Sequence, residues 1–190
     1  GSNNVGLGYD ALANNTTASN NTAVGYQSAY TNTSGDGFTA IGTQSLYSNT
    51  TGDYGVAVGW TAAYSNTTGQ PVAVGTAALY TQTTGANNTA IGHNTLQETT
   101  TGEHNTAVGR KALQANTTAS SNTAVGYQAL YVNTTGAENV AFGAYALDSV
   151  TTGSGNAAIG YGSGNTITTG SKNTILGAYD GNQGGLDIRT

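Results

Sequence analysis

Hydrophobic and polar positions along this chain keep one register. A large apolar residue followed by Gly recurs at Leu7-Gly8, Val24-Gly25, Ile41-Gly42, Val58-Gly59, Val74-Gly75, Ile91-Gly92, Val108-Gly109, Val125-Gly126, Phe142-Gly143, Ile159-Gly160 and Leu176-Gly177. The spacing is 17 residues nine times and 16 once, giving ten full repeats. Around this anchor the consensus reads N-T-A-V-G-Y-x-A-L-Y-x-N-T-T-G-x-x. The residue two before the anchor is Ala in nine consecutive repeats, from Ala23 to Ala158. Four after it stands Leu or Ala in nine repeats, from Leu12 to Leu147. Eight after it Thr recurs in all ten repeats, from Thr16 to Thr168, followed by a second Thr or Ser34. A Gly usually closes the unit, as at Gly35, Gly52, Gly69 and Gly85.

A 17-residue unit is too short for a helix pair or a propeller blade. Runs of Thr, Val, Tyr and Leu punctuated by Gly and Asn read as short strands joined by tight corners. The pattern predicts an all-β parallel β-solenoid (a β-roll) of about 11 coils over residues 3–181, each coil pairing with the next. At an interstrand spacing of about 4.8 Å the rod is roughly 50 Å long. Strand alternation places Thr/Val and Val/Ile on one face and Ala on the other. The β-branched face and the Leu four past the anchor are expected inside, and Ala outside. Of the paired Thr rows, one is expected buried and one exposed. Stacked Asn and Thr ladders can hydrogen-bond along the rod. Pro71 falls in the single 16-residue spacing and marks a tightened corner.

Composition narrows the function. Charged residues make up 7% of the chain, against about 25% in a typical soluble domain. Cys is absent, which excludes a disulfide scaffold and thiolate chemistry. A net charge of −5 with four basic residues argues against nucleic-acid binding. The longest apolar runs are a few residues, too short for a membrane span or a signal peptide. Gly1-Ser2 reads as a cloning scar. Tyr30, Tyr47, Tyr64, Tyr80 and Tyr131, five past the anchor, form an aromatic row beside small Ala rows. That arrangement predicts an oligomer of parallel chains, a homotrimer, burying Ala and Tyr against one another; the other reading is a surface Tyr ladder on a monomer.

Asn21-Thr22-Ala23-Val24-Gly25-Tyr26-Gln27 and Asn122-Thr123-Ala124-Val125-Gly126-Tyr127-Gln128-Ala129-Leu130-Tyr131 resemble repeats of bacteriophage tail-fibre proteins. The core N-T-A-V/I-G is also similar to the shorter repeat of trimeric autotransporter adhesin heads, which are left-handed parallel β-rolls assembled as trimers. The resemblance implies a non-catalytic fibre or adhesin segment that presents or contacts a host-surface receptor. It implies a location in a virion tail fibre or at the cell surface. Residues 182–190 resemble the exit from such an array toward a C-terminal self-cleaving chaperone region.

Candidate chemistry is sparse, and no enzyme, cofactor or metal site is expected. Asp36 and Asp53 share one register, which stacks them roughly 5 Å apart, the carboxylate separation of retaining glycosidases. They also read as an exposed corner pair or a weak cation site. His93 and His104 lack metal-site spacing, and Arg110-Lys111 is too small a basic patch for nucleic acid. Asp10, Glu98, Glu138 and Asp148 show no pairing in register. The row after the anchor varies freely, and within it Tyr26, Trp60, His93, Arg110 and Tyr127 form a candidate receptor-contact row. Its aromatic faces suit a host-surface glycan. An ice-binding solenoid is the alternative, with Thr33, Thr50, Thr67, Thr83, Thr100, Thr117 and Thr134 as an outward Thr ladder.

Overall fold

A computed structural model describes residues 1–178. It contains eleven three-residue strands: β1 (Val5–Leu7), β2 (Thr22–Val24), β3 (Thr39–Ile41), β4 (Val56–Val58), β5 (Val72–Val74), β6 (Thr89–Ile91), β7 (Thr106–Val108), β8 (Thr123–Val125), β9 (Val140–Phe142), β10 (Ala157–Ile159) and β11 (Thr174–Leu176). All pair in parallel and in sequence order, forming one sheet. Equivalent residues pair directly, as in Thr22↔Thr39, Ala23↔Ala40 and Val24↔Ile41. The fold is therefore the parallel β-solenoid that the repeat predicts. The expected exit segment, 182–190, lies outside the described residues.

The two strand faces are the reverse of the expectation. The strand-centre row Ala23, Ala40, Ala57, Ala73, Ala90, Ala107, Ala124, Ala141 and Ala158 is fully buried, at 0% exposure. The β-branched and large apolar residues on either side of it face outward, with Phe142 54% and Leu7 67% exposed. The reason is the width of the coil. At Gly6, which holds the Ala register in the first coil, an added methyl would already lie 3.7 Å from Leu12 Cδ1 and 4.0 Å from Ala11 Cβ. A methyl thus reaches the opposite wall, and a Val there would overpack it. The opposite wall is Leu46, Leu79, Leu96, Leu113, Leu130 and Leu147, buried as expected. The last coil exchanges the volumes: Ile175 takes the Ala register, while Gly164 takes the Leu register and leaves room for the Ile175 side chain.

The remaining polar interior is mostly amide, with Ser28, Ser45, Thr61, Thr95, Thr99 and Ser163 as buried hydroxyls. Neither Thr row is buried. The buried polar rows are Asn seven past the anchor (Asn32, Asn49, Asn66, Asn116, Asn133) and Asn four before it (Asn21, Asn88, Asn105, Asn122, Asn139, Asn156). Both clamp the corner carbonyl: Gly136 O accepts from Asn133 Nδ2 and Asn122 Nδ2, each at 2.9 Å. The Asn side chains also bond to each other from coil to coil, for example Asn49 Nδ2 to Asn32 Oδ1 at 3.0 Å. These contacts satisfy groups whose burial unpaired costs about 1–3 kcal/mol each; Asn133 Oδ1 is left over among the described residues, where Val150 takes the next place in its row.

The Ala-Leu-Tyr run is not a second strand. Residues two and four past the anchor sit at positive φ, near 50–60°, as in Gln44 and Leu46 or Lys111 and Leu113. Alternation of left- and right-handed conformations turns the chain. It sends main-chain N–H groups alternately to the coils on either side: Gln44 N donates to Tyr26 O, and Leu46 N to Ala62 O. A third left-handed residue, twelve past the anchor, recurs at Asn20, Tyr54, Asn87 and His104. That is the residue missing from the 16-residue spacing, so the corner at Pro71 is tightened by losing its left-handed position. The Pro71 ring packs on Gly55, the equivalent residue of the preceding coil.

Candidate functional site

Because the interior is closed by methyls, Leu and amides, chemistry is left to the outer rows. The row following the anchor projects outward, as expected. Tyr26, Trp60, His93 and Arg110 are exposed, and Tyr127 is half-buried. Stacking brings His93, Arg110 and Tyr127 together on successive coils. Thr43 separates Tyr26 from Trp60, and Thr76 separates Trp60 from His93. Most aromatic faces in this row are already occupied. Tyr9 stacks on Tyr26 with centroids 5.8 Å apart. The Arg110 guanidinium lies 5.7 Å from the Tyr127 ring centroid. Tyr145 meets Tyr127 and Tyr161 edge-on.

The row five past the anchor forms a face-to-face stack. Centroids of Tyr30 and Tyr47, Tyr47 and Tyr64, and Tyr64 and Tyr80 are 5.3, 5.0 and 5.2 Å apart. Burial first, then the neighbouring hydroxyls of Tyr47 and Tyr80, push the Tyr64 phenol above its ordinary value. The Ala rows lie inside the coil, so the expected outward Ala surface beside the stack is overturned.

Between this stack and the Trp60 row lies a cleft of about 460 Å³. Trp60 and His93 form one wall, Tyr64 and Tyr80 the other, and small Thr76 and Ala77 open the floor. Three side-chain amides at the cleft have hydrogen-bonding capacity left: Gln44 uses only its nitrogen, donating to Gln27 at 3.1 Å. Asn94 makes no side-chain bond among the described residues, and Gln97 uses only its oxygen, accepting from Gln114 at 2.9 Å. Thr61, 4% exposed, sits beneath with a hydroxyl that has no partner. The aromatic letters of this cleft are visible in the sequence. The gap is not, because it arises from Thr76 and Ala77 being small in two rows at once.

The acidic pair has a structural task. Asp53 Oδ1 accepts the Asp36 main-chain N–H at 2.7 Å, and Asp36 accepts from Ser19 N in the same way. Ser120 and Ser154 do this elsewhere in the row, for Glu103 N and Ala137 N. His93 and His104 have no neighbour in common: His93 lines the cleft, while His104 lies beside Glu103 and Asn87. No group of three or more His, Cys, Asp or Glu residues converges among the described residues. The half-buried Asp148, beside Ser149, has its carboxyl raised by desolvation, against a smaller opposing effect of the Ser149 hydroxyl.

The two Thr rows differ in what their hydroxyls do. Thr33 Oγ1 donates to Thr50 O at 3.1 Å, and Thr50, Thr67, Thr83, Thr100, Thr117 and Thr134 repeat this bond to the next coil. The following row (Thr51, Thr68, Thr84, Thr101, Thr118 and Thr135 among its members) is exposed throughout. Comparison with known family models, curated proteins and solved structures finds none that matches this chain.

Proposed function

We propose that the chain is a non-catalytic structural segment of an extracellular fibre, of the phage tail-fibre or adhesin kind, whose parallel copies associate as a homotrimer and present a receptor-contacting surface. The observation that carries this reading is the outward strand face. Two positions on each of eleven strands form an outward stripe of Val, Ile, Leu, Phe, Thr and Ala157 without one charged residue. At about 4.8 Å per coil and roughly 10 Å of width, the stripe covers on the order of 500 Å². An uncharged, largely apolar surface of that size matches the largest patch of a typical soluble chain, which is often functional. Two copies face to face would withdraw roughly 1,000 Å², at the threshold of a specific interface, and three closing on one axis roughly 1,500 Å² in all, shared among three interfaces. A second copy suits the stripe because the stripe offers no charge for a partner to complement.

Sedimentation or light scattering measures the outcome directly. The expected particle has three times the 18.9 kDa chain mass and a rod-like scattering profile. Ile91→Asp together with Val108→Asp on the outward face should release monomers with an unchanged circular dichroism spectrum. A wild-type monomer would defeat the fibre reading.

A second reading, an ice-binding solenoid, is favoured by one observation. Among the described residues the Thr51–Thr135 row leaves its hydroxyls without protein partners, at a repeat of about 4.8 Å. The Thr33–Thr134 row spends its hydroxyls on its own backbone. Thermal hysteresis of the purified chain tests it, and its absence removes it.

A further inference from the structure

Trp60 is the one Trp of the chain and is 58% exposed. It differs from the aromatics around it in a specific way. Its neighbours in the row are Thr43 and Thr76, so neither ring face is covered by a residue of the same row. Tyr9, Tyr26, Tyr127 and Tyr161 each have a ring or guanidinium against them. An indole left open in this way, at the wall of a cleft, has its stacking capacity unused within the chain.

We propose that the Trp60 cleft binds a neutral saccharide unit. The apolar C–H face of a pyranose would lie on the indole, with its hydroxyls turned to the unused amides of Asn94 and Gln97. This deepens the receptor-contact reading above and rests on it. Three features select the ligand class. The volume of about 460 Å³ lies within the ~300–1,000 Å³ of small-molecule sites. The lining combines aromatic faces with amides, which match a ring that is apolar above and polar at its rim. No Asp, Glu, Lys or Arg lines the cleft, so no permanent charge there compensates a charged sugar or a phosphate. The nearest cations, Arg110 and Lys111, are engaged one coil beyond His93 and Asn94, over Tyr127 and Tyr131.

Trp60 reports its own occupancy, since no other indole emits. The test titrates the whole chain with methyl glucoside, methyl galactoside, N-acetylglucosamine and their disaccharides while following Trp emission. A saturable shift with at least one of them is expected. Thr76→Tyr fills the cleft with a residue that the row already accepts elsewhere, so it should fold normally and weaken binding at least about tenfold. Calorimetry on Trp60→Ala should show a similar loss, Trp60→Tyr should recover part of it, and Tyr54→Ala, at an exposed position outside the cleft and the receptor-contact row, should change nothing. No saturable response to any of these sugars overturns the proposal. So does a response that survives Thr76→Tyr, or saturation only by charged or planar aromatic probes. Mass measured on the same samples separates the two readings: a trimer blind to sugar loses only this site, while a sugar-binding monomer loses only the fibre.

Discussion

At each anchor the constraint is double. The anchor Gly has φ near +130 to +139° through the central coils. A methyl placed on Gly92 would also lie 2.7 Å from Gly109 O of the next coil. Conformation and contact both exclude a side chain, so Gly92→Ala should destabilise the chain by about 3 kcal/mol or more, read as a lower urea midpoint. The anchor was legible in the sequence because a requirement met in every coil leaves an invariant letter. The direction of the Ala and Val rows was not. Hydrophobicity alone favours burying Val over Ala, and only the distance from the Gly6 register to Leu12 shows that the wall stands one methyl away. In a coil this narrow, packing volume decides the inside and hydrophobicity is overruled. For the same reason Trp60 was readable as a candidate contact while the cleft beside it was not.

Within one coil, three residues per strand supply a single sheet, and the other sides are held by amide ladders. Asn105 shows what such a rung carries. Its main-chain N–H and Nδ2 both meet Asn88 Oδ1, at 2.9 and 3.2 Å, its Nδ2 also donates to Ala119 O at 2.9 Å, and its Oδ1 accepts from Asn122 N at 3.0 Å. Asn105→Ala leaves the buried Asn122 N–H without an acceptor and opens a small void, at an expected cost of about 2–3 kcal/mol in chemical denaturation. The Tyr row contributes differently, through stacked faces and a half-buried margin where Asp148 replaces Tyr. Desolvation raises the Asp148 carboxyl in the fold above its unfolded value. Between those two values the native state binds more protons, so stability falls as pH rises through that window. Asp148→Asn should therefore be more stable than the wild type at neutral pH and equal to it below the window, as thermal melts at the two pH values would show. The sequence exposed the Asn and Tyr rows as rows. Their placement depends on left-handed residues such as Leu46 and Lys111, which no propensity would assign to that conformation.

For the molecule as a whole, every rung repeats the one below it, and this explains the scarcity of charge. A charged consensus letter would build a column of like charges at about 4.8 Å intervals. Where two carboxylates do stack, Asp36 and Asp53, each accepts a main-chain N–H from the preceding coil. A rod of this kind also has no long-range contacts beyond its neighbours: each strand pairs only with those before and after it. Stability is then a sum of coil and interface terms, and the ends, with a neighbour on one side only, open first. Hydrogen exchange should be slowest in β5 to β8 and quickest in β1 and β11. Gly92→Ala should not lower protection evenly. It should cut the profile at β6 into two shorter protected blocks, because each coil couples only to its neighbours and a weakened β6–β7 step uncouples those on either side. Peptide-resolved exchange of the variant distinguishes this from a single cooperative globule, in which protection would fall by the same factor everywhere.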